Sequence, residues 1–312
     1  MKASAPGKLN VTLACSSPDE RGYHPLRTVF MAVGLREEVE VIPADRWSLQ
    51  TTMVDSAGNE MPLPAELSAL APQENLAVRA ASALLQKAGI RGAAQLRITK
   101  RVPVAGGMAG GSADAAAALV ATAATFAIDQ DYSDLARQLG ADVPFALAGN
   151  VALGTGYGDR LQPIGQAAAR HWVFASAAGQ GLYTPTVFRR FDMMGQPHTP
   201  PWALPGTAAG PLEEQLASAL ADPDPRPLGQ LMFNDLQPAA LAERPALAQV
   251  IEVARDSGAL GAQVSGSGPT VVALAENGEQ ARKIGSALES LPQVGRVVVI
   301  TGPAGGARIE RE

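Results

Sequence analysis

The stretch Pro103-Val104-Ala105-Gly106-Gly107-Met108-Ala109-Gly110-Gly111-Ser112, running into Ala113-Asp114-Ala115-Ala116-Ala117-Ala118, constrains this chain more than any other. Four glycines fall within positions 106–111. They follow a predicted strand, Leu96 to Val102, and precede a predicted helix from Ser112, as N-cap, to about Phe126. A loop without Cβ atoms lets the main chain come close to a ligand. The helix start behind it offers free N–H groups and the positive end of the dipole. Together they suit an anion, and a nucleotide phosphate is the anion expected. A flexible turn ahead of an apolar helix would carry the same glycines, so the segment alone leaves both readings open. It is not a Walker A loop, because no Gly-Lys-Ser/Thr follows. It also fails the dinucleotide fingerprint: the nearest fit is Ala105-x-Gly107-x-x-Gly110, without the strand-end acid.

With 312 residues there is room for two domains and a sizeable core. A hydrophobic share of 46% with 18% charged residues is that of a soluble globular protein. The net charge of −5 and the lack of a basic run offer no field to attract nucleic acid or an anionic membrane. The single cysteine, Cys15, excludes an intrachain disulfide and a multi-cysteine metal site, and reads as a small hydrophobe in the first strand. His24, His171 and His198 make no metal-binding pair at helical spacing, so no resident metal site is expected. The longest apolar run, Ala115 to Ile128, is too short to span a bilayer, and the first residues lack a signal pattern. A cytoplasmic, soluble protein is the expectation.

Strands are predicted over 8–14, 28–35, 38–42 and 47–52, then a helix from Glu74 to Ala88 with Leu76, Ala80, Leu84 and Leu85 on one face. Ser133 to Leu139 forms a short helix that Gly140 ends. Val151 to Thr155 and His171 to Ala175 read as strands, with a domain junction near residue 160 between them. Residues 192–211 are too proline-rich for a regular element. Helices follow over Leu212 to Ala221, Ala246 to Asp256 and Glu279 to Glu289, with strands at Thr270 to Ala275 and Arg296 to Thr301. The tail from Gly302 reads as loose. The chain is thus a mixed α+β protein in two halves, 1–160 and 161–312.

Phosphoryl transfer needs a phosphate cradle, a cation, a metal and a group that orients or deprotonates the acceptor. Lys8 and Asn10, in Ala5-Pro6-Gly7-Lys8-Leu9-Asn10, share a strand face by the period of two and can meet one site, although a solvated strand end looks the same. Asp142, in Leu139-Gly140-Ala141-Asp142-Val143-Pro144-Phe145, is either a base or the cap of a short helix with Pro144 in its first turn. Ser265-Gly266-Ser267-Gly268 lies between two strands, as a hairpin turn or as a second loop closing over the first or over a substrate phosphate. Tyr23-His24 places a stacking ring beside an imidazole that donates and accepts.

The order of these pieces resembles the GHMP kinases: Pro-Gly-Lys-Leu-Asn, Gly-Tyr-His, the glycine loop, Leu-Gly-Ala-Asp-Val-Pro-Phe and Ser-Gly-Ser-Gly-Pro, from residue 5 to about 275. Gly-Tyr-His and Leu-Gly-Ala-Asp-Val-Pro-Phe resemble the branch of 4-diphosphocytidyl-2-C-methyl-D-erythritol kinases. The resemblance implies a two-domain fold with the active site in the interdomain cleft, an N-terminal ATP-binding domain and a ferredoxin-like C-terminal domain. It implies that ATP, carrying Mg²⁺, phosphorylates the 2-hydroxyl of cytidine diphosphate methylerythritol. Asp142 matches the catalytic aspartate, and Lys8 the lysine that keeps it ionised. Pro103 to Ala113 match the phosphate loop, with Ser112 near the metal, and Asn75 matches a position that holds the adenine. Asn10 and Gly266 fall on the substrate side; Tyr23, His24 and Phe188 fall where the family binds cytosine. Ala105 and Ala109 stand where the family often has glycine, and Met108 where it often has leucine. Alanine at both sites demands negative φ.

Another GHMP kinase, acting on mevalonate, homoserine or a sugar, is disfavoured because such substrates carry no base for Tyr23 to stack on. A silent nucleotide-binding regulator on the same fold would be expected to lose the lysine or the aspartate, and this chain keeps both. A nicotinamide-dependent dehydrogenase is disfavoured by the failed fingerprint.

Overall fold

The computed structural model describes residues 1–311 apart from 56, 105, 180 and 196–210. In chain order it runs β1 (Lys2–Cys15), β2 (Leu26–Ala44), β3 (Ser48–Val54), β4 (Glu60–Met61), α1 (Ala65–Ser68) and α2 (Leu76–Lys87). β5 (Ala93–Lys100) leads through the glycine loop to α3 (Gly110–Thr125), α4 (Ser133–Leu139) and α5 (Val143–Ala148). β6 (Val151–Thr155) and β7 (Arg160–Pro163) form a hairpin, followed by β8 (Arg170–Ala177), α6 (Thr184–Met193), α7 (Pro211–Ala221) and α8 (Arg226–Leu231). The remainder is β9 (Phe233–Asn234), α9 (Gln237–Glu243), α10 (Ala246–Asp256), β10 (Gly261–Val264), β11 (Thr270–Ala275), α11 (Gly278–Glu289), β12 (Val294–Gly302) and β13 (Arg308–Ile309).

A large sheet runs β13-β1-β2-β5-β3-β4, with β6 added to β2, β7 to β6 and β9 to β1. β1 is buried along nearly its whole length because both its faces are covered, which suits its run of small and apolar residues. On one face, the alanines of α3 at 113, 115–118 and 121 bring that helix close against the sheet and against α2. The register of β1 on β2 shifts between Pro6 and Lys8 and again between Asn10 and Thr12. Such irregularities re-aim side chains, and these two bracket Lys8 and Asn10.

The small sheet is antiparallel in the order β10-β11-β8-β12. Counted along the chain that is second, third, first, fourth strand, with α10 and α11 against one face. This is the ferredoxin-like arrangement. On β8, Val173 and Ala175 face those helices, while Trp172 and Phe174 join Leu9, Val11, Val29 and Met31 of the large sheet. The period of two thus welds the two sheets through β1 and β2.

Several expectations are corrected. The strands expected at 28–35 and 38–42 are one continuous β2. α3 begins at Gly110, so Ser112 is its third residue and Ala109 occupies the N-cap, at φ 58° and ψ 34°. Ala109 therefore adopts the left-handed conformation that its Cβ was expected to exclude, whereas Ala105 lies outside the described residues. The junction expected near 160 falls at the start of β7, which pairs with β6 in the large sheet. A helix, α6, occupies Thr184–Met193, where no element was foreseen; of the proline-rich stretch beyond it, residues 196–210 lie outside the described ones. The tail is not loose. Asn150 N–H donates to the Ala304 carbonyl at 2.7 Å, Ala307 N–H to the Ala146 carbonyl at 3.0 Å, and Arg36 Nη1 and Nη2 each reach a Gly305 or Gly306 carbonyl at 2.7 Å. β13 then pairs with Ala3 and Ser4 of β1.

Candidate active site

A cleft of about 630 Å³ gathers side chains from both sheets. β1 supplies Lys8 and Asn10, which are buried neighbours on one face: Lys8 Nζ donates to Asn10 Oδ1 at 2.8 Å. Asn10 Nδ2 donates to Thr28 Oγ1 at 2.7 Å, and that hydroxyl donates to the Thr12 carbonyl at 2.6 Å. The asparagine is held at both ends, so the ammonium is aimed as well as placed. Lys8 is only 7% exposed and lies 5.3 Å from the Phe30 ring centroid. A cation over an aromatic face is stabilised without neutralising its charge.

Asp142 lines the same cleft at the N-terminus of α5. It stands in the N-cap position with Pro144 in the first turn, but its carboxylate makes no capping hydrogen bond. The two readings of this residue therefore separate: it caps by position only, and its carboxylate is left to the cleft. Lys8 and Asp142 form no ion pair with each other; the lysine's hydrogen bond goes to Asn10.

The glycine loop is shaped by what lies behind it. A Cβ on Gly107, at φ +73°, would lie 2.2 Å from the Ser265 carbonyl oxygen. One on Gly106 would meet Thr270 Oγ1 at 2.7 Å, and one on Gly110 would meet Glu37 Oε1 at 2.9 Å. Gly111 faces open space. The second Gly/Ser loop therefore docks onto the first: Ser265 Oγ donates to the Gly107 carbonyl at 3.4 Å, and Gly266 sits against Asn10 and Lys8. Asn234, which the sequence reading passed over, braces that loop by donating from Nδ2 to the Val264 and Gly266 carbonyls, both at 2.8 Å. Gln263 donates from Nε2 to the main chain of β1 at Asn10 and Val11, at 3.0 and 3.1 Å.

Pro103, Val104, Gly106, Gly107, Ala109, Gly110 and Gly111 line the cleft. Met108 and Ala113 turn their side chains into the core, and the Met108 carbonyl accepts from Lys8 N–H at 3.1 Å. Ser112 is half-buried on the first turn of α3. Met108 and Ser112 can therefore serve a phosphate only through main-chain N–H groups or the Ser112 hydroxyl, while the Ala113 N–H is already donated to the Ala109 carbonyl at 2.9 Å. Asn75 lines the cleft while its Oδ1 caps α2, accepting from Ala77 N–H at 2.9 Å.

Beneath the loop lies a buried trio that sequence spacing does not reveal. Lys100 Nζ donates to Glu37 Oε1 at 2.8 Å and to Asp114 Oδ2 at 2.5 Å, and Arg101 N–H donates to Glu37 Oε2 at 2.7 Å. Burial pushes Glu37 up to about 7 against the pull of Lys100, with the Asp114 charge adding to the rise. Burial likewise raises Asp114, while the two carboxylates together keep Lys100 charged despite its own desolvation.

At the other end the rings take a different arrangement from the expected sandwich. His24 is buried, with Nδ1 2.8 Å from the Ser16 carbonyl and Nε2 3.4 Å from Asp192 Oδ1. Its ring packs on Phe188, centroids 4.9 Å apart at 31°, so those two rings touch and leave no slot between them. Tyr23 is 65% exposed and meets Tyr157 edge-on at 5.8 Å. Phe188 and Tyr157 both line the cleft.

No group of three or more metal-ligating side chains occurs among the described residues, and none of their helices is long and apolar enough to cross a membrane.

Comparison with known proteins places this geometry. Residues 75–150 match the family model described as the GHMP kinases N terminal domain, and residues 216–292 match that of the GHMP kinases C terminal. A protein of Leifsonia xyli subsp. xyli (strain CTCB07), named 4-diphosphocytidyl-2-C-methyl-D-erythritol kinase, is 42% identical over 312 residues, covering 98% of this chain and 97% of the relative. The crystal structure of a 4-(cytidine 5'-diphospho)-2C-methyl-D-erythritol kinase superposes with a TM-score of 0.76 at 32% identity, covering 98% and 100% of the two chains. L. major mevalonate kinase in complex with R-mevalonate shares the fold, with a TM-score of 0.71 over 98% and 97% of the chains, at 16% identity.

Proposed function

Because the chain belongs to the 4-diphosphocytidyl-2-C-methyl-D-erythritol kinase family of the GHMP kinases, we propose that its cleft transfers the γ-phosphoryl group of ATP to the 2-hydroxyl of 4-diphosphocytidyl-2-C-methyl-D-erythritol, a step of the non-mevalonate isoprenoid pathway. The observation that carries the assignment of roles is the convergence of the glycine loop, the Lys8–Asn10 pair and the uncommitted Asp142 carboxylate on one cleft.

ATP enters with its Mg²⁺ and lays its phosphates on the main-chain N–H groups of 106–112 and the start of α3. Asn75 serves the adenine end. The acceptor hydroxyl lies between Lys8 and Asp142. Its oxygen forms the new bond to γ-phosphorus as the β,γ-bridging bond breaks, its proton passes to Asp142, and ADP leaves. Lys8, aimed by its hydrogen bond to Asn10, stabilises the negative charge that gathers on the acceptor oxygen. Asn10 fixes the ammonium, and Gly266 lets the second loop approach both. Tyr23, His24 and Phe188 serve the cytosine end: the Phe188 contact and the Ser16 carbonyl hold the imidazole of His24 in a single orientation. The large-sheet half, to which β7, β9 and β13 add from residue 160 onward, and the small-sheet half act as the two domains flanking the cleft, working on small molecules in the cytoplasm; the net charge of −5 supports a protein without nucleic-acid partners.

The test is ADP release from Mg-ATP with the cytidyl acceptor, run beside mevalonate and homoserine, for the wild-type protein and Asp142→Asn. Turnover is expected with the cytidyl acceptor alone. In the variant kcat should fall by about 10² to 10⁴ while ATP binds as before. Collapse of ATP binding in Asp142→Asn would instead make that residue structural.

A further inference from the structure

Thr28 is fully buried and does not line the cleft, yet the aim of Lys8 runs through it. It lies on β2 between two strands, opposite Leu13 of β1 and Gly154 of β6. A Cβ on Gly154 would lie 3.2 Å from Thr28 Cγ2, so the threonine methyl fills the space beside that glycine. The hydroxyl is thereby turned to β1, where both of its hydrogen-bond partners stand. β1 is irregular at this point. It carries one residue more than β2 between the pairs Asn10–Phe30 and Thr12–Val29, which makes Val11 a bulge. The bulge leaves the Asn10 amide and the Thr12 carbonyl within reach of one hydroxyl. Gln263 secures the main chain here, through the Asn10 and Val11 carbonyls, and Thr28 secures the side chain.

The chemistry of the groups fixes the direction of each bond in the series. The Thr12 carbonyl can only accept, so the Thr28 proton goes to it, at 2.6 Å. Toward Asn10 the hydroxyl then has only lone pairs left, and it takes the amide Nδ2 at 2.7 Å. That leaves Oδ1 of the same amide for Lys8, whose ammonium can only donate and does so at 2.8 Å. Flipped, the amide would set its NH2 against the ammonium and its oxygen against a hydroxyl with no proton to give. The two amide orientations are nearly equal in shape, so it is the Thr28 hydroxyl that separates them.

We propose that Thr28 is a positioning residue for phosphoryl transfer: its hydroxyl holds the Asn10 amide in the one orientation that directs the Lys8 ammonium at the acceptor oxygen. This rests on the functional reading above and adds to it a side chain that touches neither substrate.

The experiment compares wild type, Thr28→Val, Thr28→Ser, Asn10→Ala and the double variant of Thr28→Val with Asn10→Ala, in steady-state turnover with ATP and acceptor varied separately. Valine keeps the methyl beside Gly154 and removes the hydroxyl, so kcat should fall about tenfold to 100-fold while the ATP KM stays within about twofold. Serine keeps the hydroxyl and loses the methyl, and its kcat should stay within about threefold of wild type. Because Thr28 acts through Asn10, adding Thr28→Val to Asn10→Ala should change kcat by less than about twofold. The proposal is overturned if kcat survives in Thr28→Val, or if the two losses multiply in the double variant. It is overturned as well if Thr28→Ser loses as much as Thr28→Val, which would assign the effect to packing. A second readout does not depend on the acceptor: hydrogen exchange of the Asn10 side-chain amide, followed by NMR. Exchange should be slow in wild type and Thr28→Ser, and faster by about tenfold or more in Thr28→Val. Equal exchange in wild type and Thr28→Val overturns the proposal whatever the substrate. If the wild-type protein turns over no cytidyl acceptor while exchange follows this order, the functional reading is what fails, and the hold of Thr28 on Asn10 stands.

Discussion

The two ends of the cleft are built differently: the glycine-loop end offers main chain, and the end around Phe188 and Tyr157 offers side chains. The first surface is formed by residues 103–104 and 106–112, with Gly106, Gly107 and Gly110 pressed from behind by Thr270, Ser265 and Glu37. The second is assembled from four separate stretches of chain, around Leu13, Tyr23, Tyr157 and Phe188, joined by ring contacts and two hydrogen bonds to a phenol. At Gly107 the first surface has no tolerance for an added Cβ, because the atom it would strike is the Ser265 backbone carbonyl oxygen, whereas at Gly106 and Gly110 it would meet the side-chain oxygens of Thr270 and Glu37. A side-chain surface can exchange one ring for another and keep its shape. On the function proposed above, the common substrate would meet the less changeable part and the particular substrate the adjustable one.

The strongest challenge to that contrast is Gly107→Val. Its Cβ would lie 2.2 Å from the Ser265 carbonyl oxygen, and φ of +73° is unfavourable for any branched residue. Overpacking and left-handed strain together cost about 4 kcal/mol. Urea unfolding should register that loss, and turnover should vanish because the two loops can no longer meet. A Gly107→Val protein of wild-type stability would show that the phosphate end adapts as freely as the acceptor end.

Somewhat smaller is the effect expected of Lys100→Met, which removes the cation between two buried carboxylates under the same loop. Leaving such charges uncompensated costs about 3 kcal/mol. The measurement is again unfolding, and it sharpens the comparison by separating the loop from its support. If Lys100→Met unfolds early but its folded fraction still binds ATP, the loop's shape is intrinsic and the trio only carries it.

These regions were not equally readable from sequence. Lys8 and Asn10 sit on one strand face because a period of two requires it, and the glycine loop lies between a strand and a helix as its spacing demands. α4, β6, α10 and β11 occupy the spans expected of them, since each combines a consistent period with clear ends. Hidden features depend on partners distant in the chain. Glu37 and Lys100 are 63 residues apart, and Tyr157 and Asp19 are 138 apart. The tail looked loose because Gly302-Pro303-Ala304-Gly305-Gly306 has no pattern of its own. Its order comes from main-chain bonds with Asn150 and Ala146 and from the Arg36 guanidinium donating to its carbonyls, which no local rule can anticipate. α6 was missed for a related reason: its buried Val187 and Phe191 show the helical spacing of four, but arginines at 189 and 190 mask it.

The buried trio also makes stability depend on pH in a definite direction. Glu37 holds its proton up to about 7 in the folded protein, against about 4.5 for an ordinary glutamate. Its folded form binds more protons than its unfolded form within that window, so its contribution to stability is full below about 4.5 and is lost as pH rises through about 7. Glu37→Gln cannot titrate. Relative to wild type, the variant should therefore gain stability between pH 4.5 and 7, read as a shift in urea midpoint, and hold a constant offset above. A constant offset across the whole range would mean that Lys100 keeps Glu37 ionised throughout.

The smallest effect tests the phosphate end from within. Ala109 caps α3 at φ 58°, in the conformation where an L-residue crowds its own Cβ against the following carbonyl. That strain costs about 1–2 kcal/mol, and glycine would remove it. Glycine also gains freedom in the unfolded chain, which returns about 0.5–1 kcal/mol. The difference leaves Ala109→Gly more stable than wild type by up to about 1.5 kcal/mol, a rise of a few degrees at most in melting temperature. Gly107 and Ala109 are thus two residues apart on one loop with opposite expectations. The first has a carbonyl where its Cβ would go, while the second already carries a Cβ and is opposed only by its own backbone. If Ala109→Gly loses stability instead, its methyl must contribute more by contact at the cleft wall than its φ costs. In that case a side chain, and not main chain alone, would shape this end as well.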